Sequence, residues 1–151
     1  MTAVREARAE DIPRLRAVRA ASLREAPPLL LDVAVRGAGL VLVATTPVEP
    51  DPVGYALAMR DGEGTVAYLA ELAVAPGHRR CGHGSALLSA VLDRLSDHRE
   101  LRLTTRADDG RARAFYESAG FEPVRDLPDH YADGDGMLYG RRLRGREGGE
   151  E

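Results

Sequence analysis

The segment that most restricts this chain runs from Leu72 to Leu88: Leu-Ala-Val-Ala-Pro-Gly-His-Arg-Arg-Cys-Gly-His-Gly-Ser-Ala-Leu-Leu. An apolar strand end passes into a Gly- and Arg-rich turn, and a Leu-rich helix begins directly after it. N–H groups at a helix start have no intrahelical acceptor and lie at the positive end of the helix dipole. Gly82 and Gly84 carry no Cβ, so an anion can approach the main chain closely. Arg79 and Arg80 add cationic charge at the rim. Cys81, His83 and Ser85 complete the turn, His83 through its backbone amide more than its imidazole. These parts predict an anion cradle suited to a pyrophosphate; a turn that merely joins strand to helix is the plainer alternative.

Two familiar phosphate loops do not fit. Gly77 and Gly82 have the glycine spacing of an NTPase loop, but His83 and Gly84 stand where Lys and Ser or Thr are required. All 21 basic residues are Arg, so no lysine exists to complete that motif. A dinucleotide fingerprint asks for Gly or Ala at its last position, which Leu87 fills.

The rest of the chain predicts a mixed α/β sheet flanked by helices, in the order β-α-α-β-β-β-α-β-α-β-β. Residues 2–6 read as an edge strand. Ile12, Leu15, Val18 and Leu23 recur at helical spacing behind Glu10 and Asp11. Pro27 and Pro28 break that helix, and a short one is expected over 29–35. Strands follow at 40–44, 53–60 and 66–74, the first two antiparallel neighbours and the last two separated by a turn at 61–64. Leu87, Leu88, Val91, Leu92 and Leu95 predict a helix over 85–95. A strand at 101–105, a helix at 111–118 ended by Gly120, and strands at 121–124 and 136–143 around a polar loop complete the pattern. With 151 residues, no repeat and no linker, one domain over 1–143 is expected, with a charged, Gly-rich, disordered tail at 144–151.

Net charge is −3, with the charges of both signs spread along the chain, which argues against nucleic acid as a partner. The charged N-terminus lacks a signal peptide's apolar run, and no stretch approaches bilayer length, so a cytoplasmic chain with no membrane partner is expected. One cysteine forms no intramolecular disulfide, and the four histidines have no metal-like spacing.

Arg79-x-x-Gly82-x-Gly84, after a Leu-x-Val-x-Pro strand end and before a Leu-rich helix, resembles the acetyl-CoA signature of the GNAT superfamily. Asp109-Gly-Arg-Ala-Arg-Ala-Phe-Tyr-Glu-Ser-Ala-Gly-Phe121 resembles that superfamily's second signature, with Ala112, Phe115, Tyr116, Gly120 and Phe121 on the pattern. The resemblance implies a mostly antiparallel sheet splayed at the cofactor site. It further implies acetyl-CoA as co-substrate, no metal, and direct transfer of acetyl to a primary amine in a ternary complex. Leu72, Ala73 and Val74 would pair with the pantetheine arm, the Leu72 amide facing the acetyl carbonyl. Phe115 lies at the cofactor, and Tyr116 would protonate the leaving sulfur, a role suited to a phenol that stays protonated at neutral pH. Asp109 replaces the family's Asn and reads equally well as a cofactor contact or as the cap of its helix. Glu71, just before Leu72, reads either as the base for the amine or as a solvated or ion-paired charge.

The acceptor is less defined. Tyr131, Asp133 and Gly134 match the segment of the branch that acetylates protein N-termini, with His130 replacing a tyrosine. Thr104 stands where that branch commonly has a glutamate base. Asp126, Asp129, Asp133 and Asp135 could attract a cationic amine or simply be solvated. A peptide N-terminus and a small cationic amine both remain open, and superfamily members often form homodimers. A non-catalytic acyl-CoA sensor is the alternative function; an intact Tyr116 favours the enzyme.

Overall fold

A computed structural model describes residues 2–23, 30–61 and 65–143. The expected break at Pro27–Pro28, most of the turn at 61–64 and the tail at 144–151 lie outside these residues.

The elements follow the expected order: β1 (Ala3–Glu6), α1 (Ile12–Ser22), α2 (Leu30–Val33), β2 (Leu40–Thr45), β3 (Gly54–Arg60), β4 (Val66–Val74), α3 (His83–Arg94), β5 (Glu100–Arg106), α4 (Gly110–Ser118), β6 (Glu122–Tyr131) and β7 (Gly134–Arg142). Seven strands are hydrogen-bonded in the order β1-β2-β3-β4-β5-β7-β6. β4 and β5 run parallel, whereas the β1–β2, β2–β3, β5–β7 and β6–β7 pairs are antiparallel. The chain divides into two compact units, residues 1–60 with 69–94, and residues 61–68 with 95–151.

In the first unit, β2 is a Leu-Val-Leu-Val-Ala run buried from Leu40 to Ala44, as a strand covered on both faces should be. Val41 and Val43 join Leu15, Val18, Leu31, Tyr55, Leu57 and Ala73 in one apolar cluster beneath α1 and α2. α3 packs on β1, β2 and β3 and buries Leu87, Leu88 and Val91. A π-type segment, Ala34–Ala38, ends the α2 region, and Gly37 takes a φ of 134° there, open to glycine but strained for other residues. In the second unit β5 alternates cleanly, with Leu101, Leu103 and Thr105 buried.

One expectation is corrected here. The polar stretch read as a loop between two short strands is itself strand, β6 continuing to Tyr131 and β7 beginning at Gly134. β6 lies at the sheet edge and is exposed along most of its length, so it carries no apolar alternation for a sequence pattern to reveal. Pro123 and Pro128 fit because an edge strand need not donate from every N–H, and register shifts fall at 123/125 and 127/131.

The short 3-10 turn Ala9–Asp11 that leads into α1 is closed by one carboxylate. Asp11, 7% exposed, accepts from the Arg8 amide at 2.8 Å and from both terminal nitrogens of Arg5 at 2.9 and 3.1 Å. The Arg5 hydrogen bond, aided by the Arg8 amide, holds its carboxyl below the usual range despite burial. Asp11→Ala is expected to cost about 2 kcal/mol, measured by urea unfolding at neutral pH, because the Arg5 guanidinium and the Arg8 amide lose a charged, buried acceptor. A depressed carboxyl stabilises in full above its unfolded value near ~3.9 and loses that contribution as pH falls. The gap between wild type and variant should therefore narrow below about pH 4.

Candidate active site

In the first unit, β4 leads into the cradle. Its ladder with β5 runs from Val66↔Glu100 to Tyr68↔Arg102, and the later residues of β4 lie against β3. Gly54 makes that approach possible, since a Cβ there would stand 2.8 Å from the Ala73 carbonyl oxygen. Along β4, Glu71 and Ala73 are buried while Leu72 and Val74 are half-buried on the other face.

After a short turn at Pro76–His78, Arg80 and Gly82 both adopt left-handed backbone, with φ of 63° and 87°. Left-handed residues in such a turn aim successive N–H groups into one concavity, the geometry of an anion nest. Ala86 N–H bonds to Gly82 O at 3.0 Å, so the amides just before it lie ahead of the helical ladder. α3 begins at His83, two residues earlier than its apolar stripe suggests. Arg80, Cys81, Gly82 and Ser85 are exposed and Gly84 half-buried. The His83 ring is buried, with Nδ1 2.8 Å from Thr2 Oγ1. Burial, with His78 and the chain's N-terminal charge, lowers its pKa, which favours a neutral ring at pH 7.

Arg79 behaves differently from a simple rim charge. Its Nε donates to Val74 O at 3.0 Å and a terminal nitrogen donates to Ser22 Oγ at 3.1 Å. Ser22 Oγ also donates to Val74 O, at 3.3 Å, so the guanidinium fastens the turn to the ends of β4 and α1. Cys81 Sγ lies 3.5 Å from the Arg79 carbonyl oxygen.

Glu71 is no solvated edge charge. It is 4% exposed, accepts from Tyr55 O–H at 2.6 Å and pairs with Arg19 Nε at 3.4 Å. Tyr55 and Arg19 carry no motif; a polar aromatic at the start of an otherwise apolar strand is the only trace that Tyr55 leaves in the sequence.

In the second unit, α4 carries Phe115 and Tyr116. Asp109 accepts from Ala112 N–H at 3.0 Å, so it caps that helix. Tyr116 packs edge-on against Phe115 and Phe121, at 5.0 and 5.7 Å between ring centres. It is half-buried, and desolvation pushes its phenol well above the ordinary value, with the Asp109 charge acting in the same direction. Arg113 Nε and Glu117 meet the buried Tyr139 hydroxyl at 2.9 and 2.7 Å, anchoring α4 to β7.

The β6–β7 hairpin ends in an aromatic and charged group that sequence reasoning saw only in part. Arg106 pairs with Asp133 and lies 4.7 Å from the centre of the Tyr131 ring, which meets His130 edge-on at 4.7 Å. Asp135 accepts from the Asp129 amide at 2.8 Å, so at least two of the four aspartates shape the hairpin. Thr104 Oγ1 accepts from the exposed Tyr68 hydroxyl at 2.7 Å.

Known proteins resemble this chain in fold and in sequence. Ard1 from Thermoplasma volcanium superposes with a TM-score of 0.83 at 28% identity, covering 95% of this chain and 98% of that one. NAA60 of Arabidopsis thaliana, solved in complex with acetyl-CoA, superposes with a TM-score of 0.85 at 21% identity over 95% and 99% of the two chains. Mycothiol acetyltransferase of Kineococcus radiotolerans is 46% identical over 67 residues, 44% of this chain and 22% of that protein, so the chain spans about a fifth of that relative's length. The model of the acetyltransferase (GNAT) family matches residues 3–121, which contain both the Arg79–Gly84 turn and the Asp109–Phe121 signature, and the chain belongs to that family.

Proposed function

We propose that this chain is an N-acetyltransferase that carries an acetyl group from acetyl-CoA to a primary amine by direct attack in a ternary complex. The observation that carries this reading is the turn after β4, where left-handed Arg80 and Gly82 precede the first amides of α3. Such a nest suits the pyrophosphate of coenzyme A. Arg80 to Ser85 take the phosphates while Arg79 braces the turn, and Leu72 to Val74 take the pantetheine arm. Residues 1–143 act as one acetyltransferase domain, a reading supported by a family match that spans parts of both compact units.

The amine nitrogen forms a bond to the thioester carbonyl carbon, the carbon–sulfur bond breaks, the amine's proton passes to Glu71 through water, and the sulfur takes a proton from Tyr116. The Tyr116 hydroxyl makes no hydrogen bond among the described residues, and a raised pKa keeps it a proton donor at neutral pH. The acceptor is a peptide N-terminus or a small cationic amine, for which the Tyr131 and Asp133 end of the hairpin offers an aromatic ring and a carboxylate. The protein works in the cytoplasm.

Thiol release from acetyl-CoA, scanned over polyamines, amino acids, aminoglycosides and short peptides with free N-termini, tests the reading. Release that depends on one class of amine is expected. Binding of acetyl-CoA with no release for any amine would replace the enzyme by a sensor, and no binding would remove both. Tyr116→Phe should lower kcat by about 100-fold, the scale of a lost general acid, with acetyl-CoA affinity kept within about twofold. Unchanged turnover would remove Tyr116 from the chemistry.

A further inference from the structure

The buried face of β4 is closed around Glu71 by two side chains from other elements. Tyr55, on β3, directs its hydroxyl to Oε1 at 2.6 Å. Arg19, in the last turn of α1, directs Nε to Oε2 at 3.4 Å. A carboxylate withdrawn from water favours its protonated form unless donors replace the lost hydration. Here each oxygen faces a donor from a different element, which fixes the rotation of the carboxylate. Three residues along each element, Ser22 and Val74 repeat the link between α1 and β4, and Arg79 joins them. Burial, with the Glu71 hydrogen bond and charge, pushes the Tyr55 phenol far above its ordinary value. Tyr55 therefore remains a donor at any working pH.

We propose that Tyr55 and Arg19 are positioning residues that hold the Glu71 carboxylate in one orientation for the acceptor amine. This rests on the reading of Glu71 as the base. As the nitrogen–carbon bond forms and the carbon–sulfur bond breaks, the proton lost by nitrogen ends on Glu71. Tyr55 keeps its proton and Arg19 its charge. Among the described residues, the charged and titratable groups that bond to Glu71 are Tyr55 from β3 and Arg19 from α1, while Arg79 engages the Val74 carbonyl further along the strand. A link that served only to hold α1 on the sheet would lower stability when cut without changing the ionisation that turnover depends on.

The test is the pH dependence of kcat/KM for acetyl-CoA-dependent thiol release, with spermidine and a short peptide with a free N-terminus as acceptors. Comparing wild type with Glu71→Gln identifies the acidic limb that belongs to Glu71. If that limb is unchanged in Glu71→Gln, or if neither acceptor nor any other amine is turned over, the base reading fails and the proposal fails with it. If the limb belongs to Glu71, Tyr55→Phe should move it up by about one pH unit, a tenfold loss on its acid side that recovers at alkaline pH. KM for acetyl-CoA should stay within about twofold. Arg19→Gln should move the limb in the same direction and Arg19→Lys should restore it. A Glu71 limb that moves in neither Tyr55→Phe nor Arg19→Gln overturns the proposal while leaving the base reading intact. Should the variants turn over too slowly, the carbon-13 carboxyl resonance of Glu71, assigned by its loss in Glu71→Gln, gives the same midpoint directly. No rise in that midpoint on Tyr55→Phe also overturns the proposal.

Discussion

The second half of β4 is the constraint on which the candidate chemistry depends. A strand that offers backbone groups to a ligand cannot also use them to hold itself, so its remaining contacts must fix it. Gly54 permits β3 to come close enough that any larger residue would strike the Ala73 carbonyl. Val74 O is engaged by both Arg79 and Ser22, so the point where strand becomes turn is tied to the end of α1. Between these two restraints Ala73 is sealed in the apolar cluster, and Glu71 is held by polar contacts instead. This half of β4 is thus fixed from its buried face, leaving Leu72 and Val74 on the opposite one.

That division explains which parts of the molecule were legible in the sequence. The turn was legible because its signals are local: clustered glycines, a strand before and a Leu-rich helix after. The helix over 111–118 and its cap were legible for the same reason, and Asp109 does accept from Ala112 N–H. The partners of Glu71 were not, because Arg19 is 52 residues away along the chain and Tyr55 resembles any aromatic residue in a strand. Arg79 was legible as a rim cation of the motif, but not as a brace, since its partner Ser22 lies 57 residues earlier.

The hairpin of β6 and β7 shows the opposite failure. Its residues read as a polar loop, whereas they form strand on both sides of a tight turn. Asp, Pro and Gly in close succession usually signal a loop, and β6 is stranded because β7 supplies its hydrogen bonds, with no buried apolar face to announce it. Arg106 then draws Tyr131 and Asp133 together, a grouping set by the fold that spacing alone does not reveal. The chemistry of arginine suits such a cluster. A planar guanidinium can stack on a ring and pair with a carboxylate at once, which an ammonium does less well.

The same edge strand bears on how the protein behaves in concentrated solution. An exposed strand edge is a template on which another chain can extend the sheet, the first step of irreversible precipitation. Pro123 and Pro128 each remove a donor from that template, the register shifts interrupt its spacing, and Glu122, Arg125, Asp126 and Asp129 place charges of both signs along it. Exposed along most of its length, this edge is not blunted by cover. Its composition instead makes it a poor seed for aggregation while leaving its surface open.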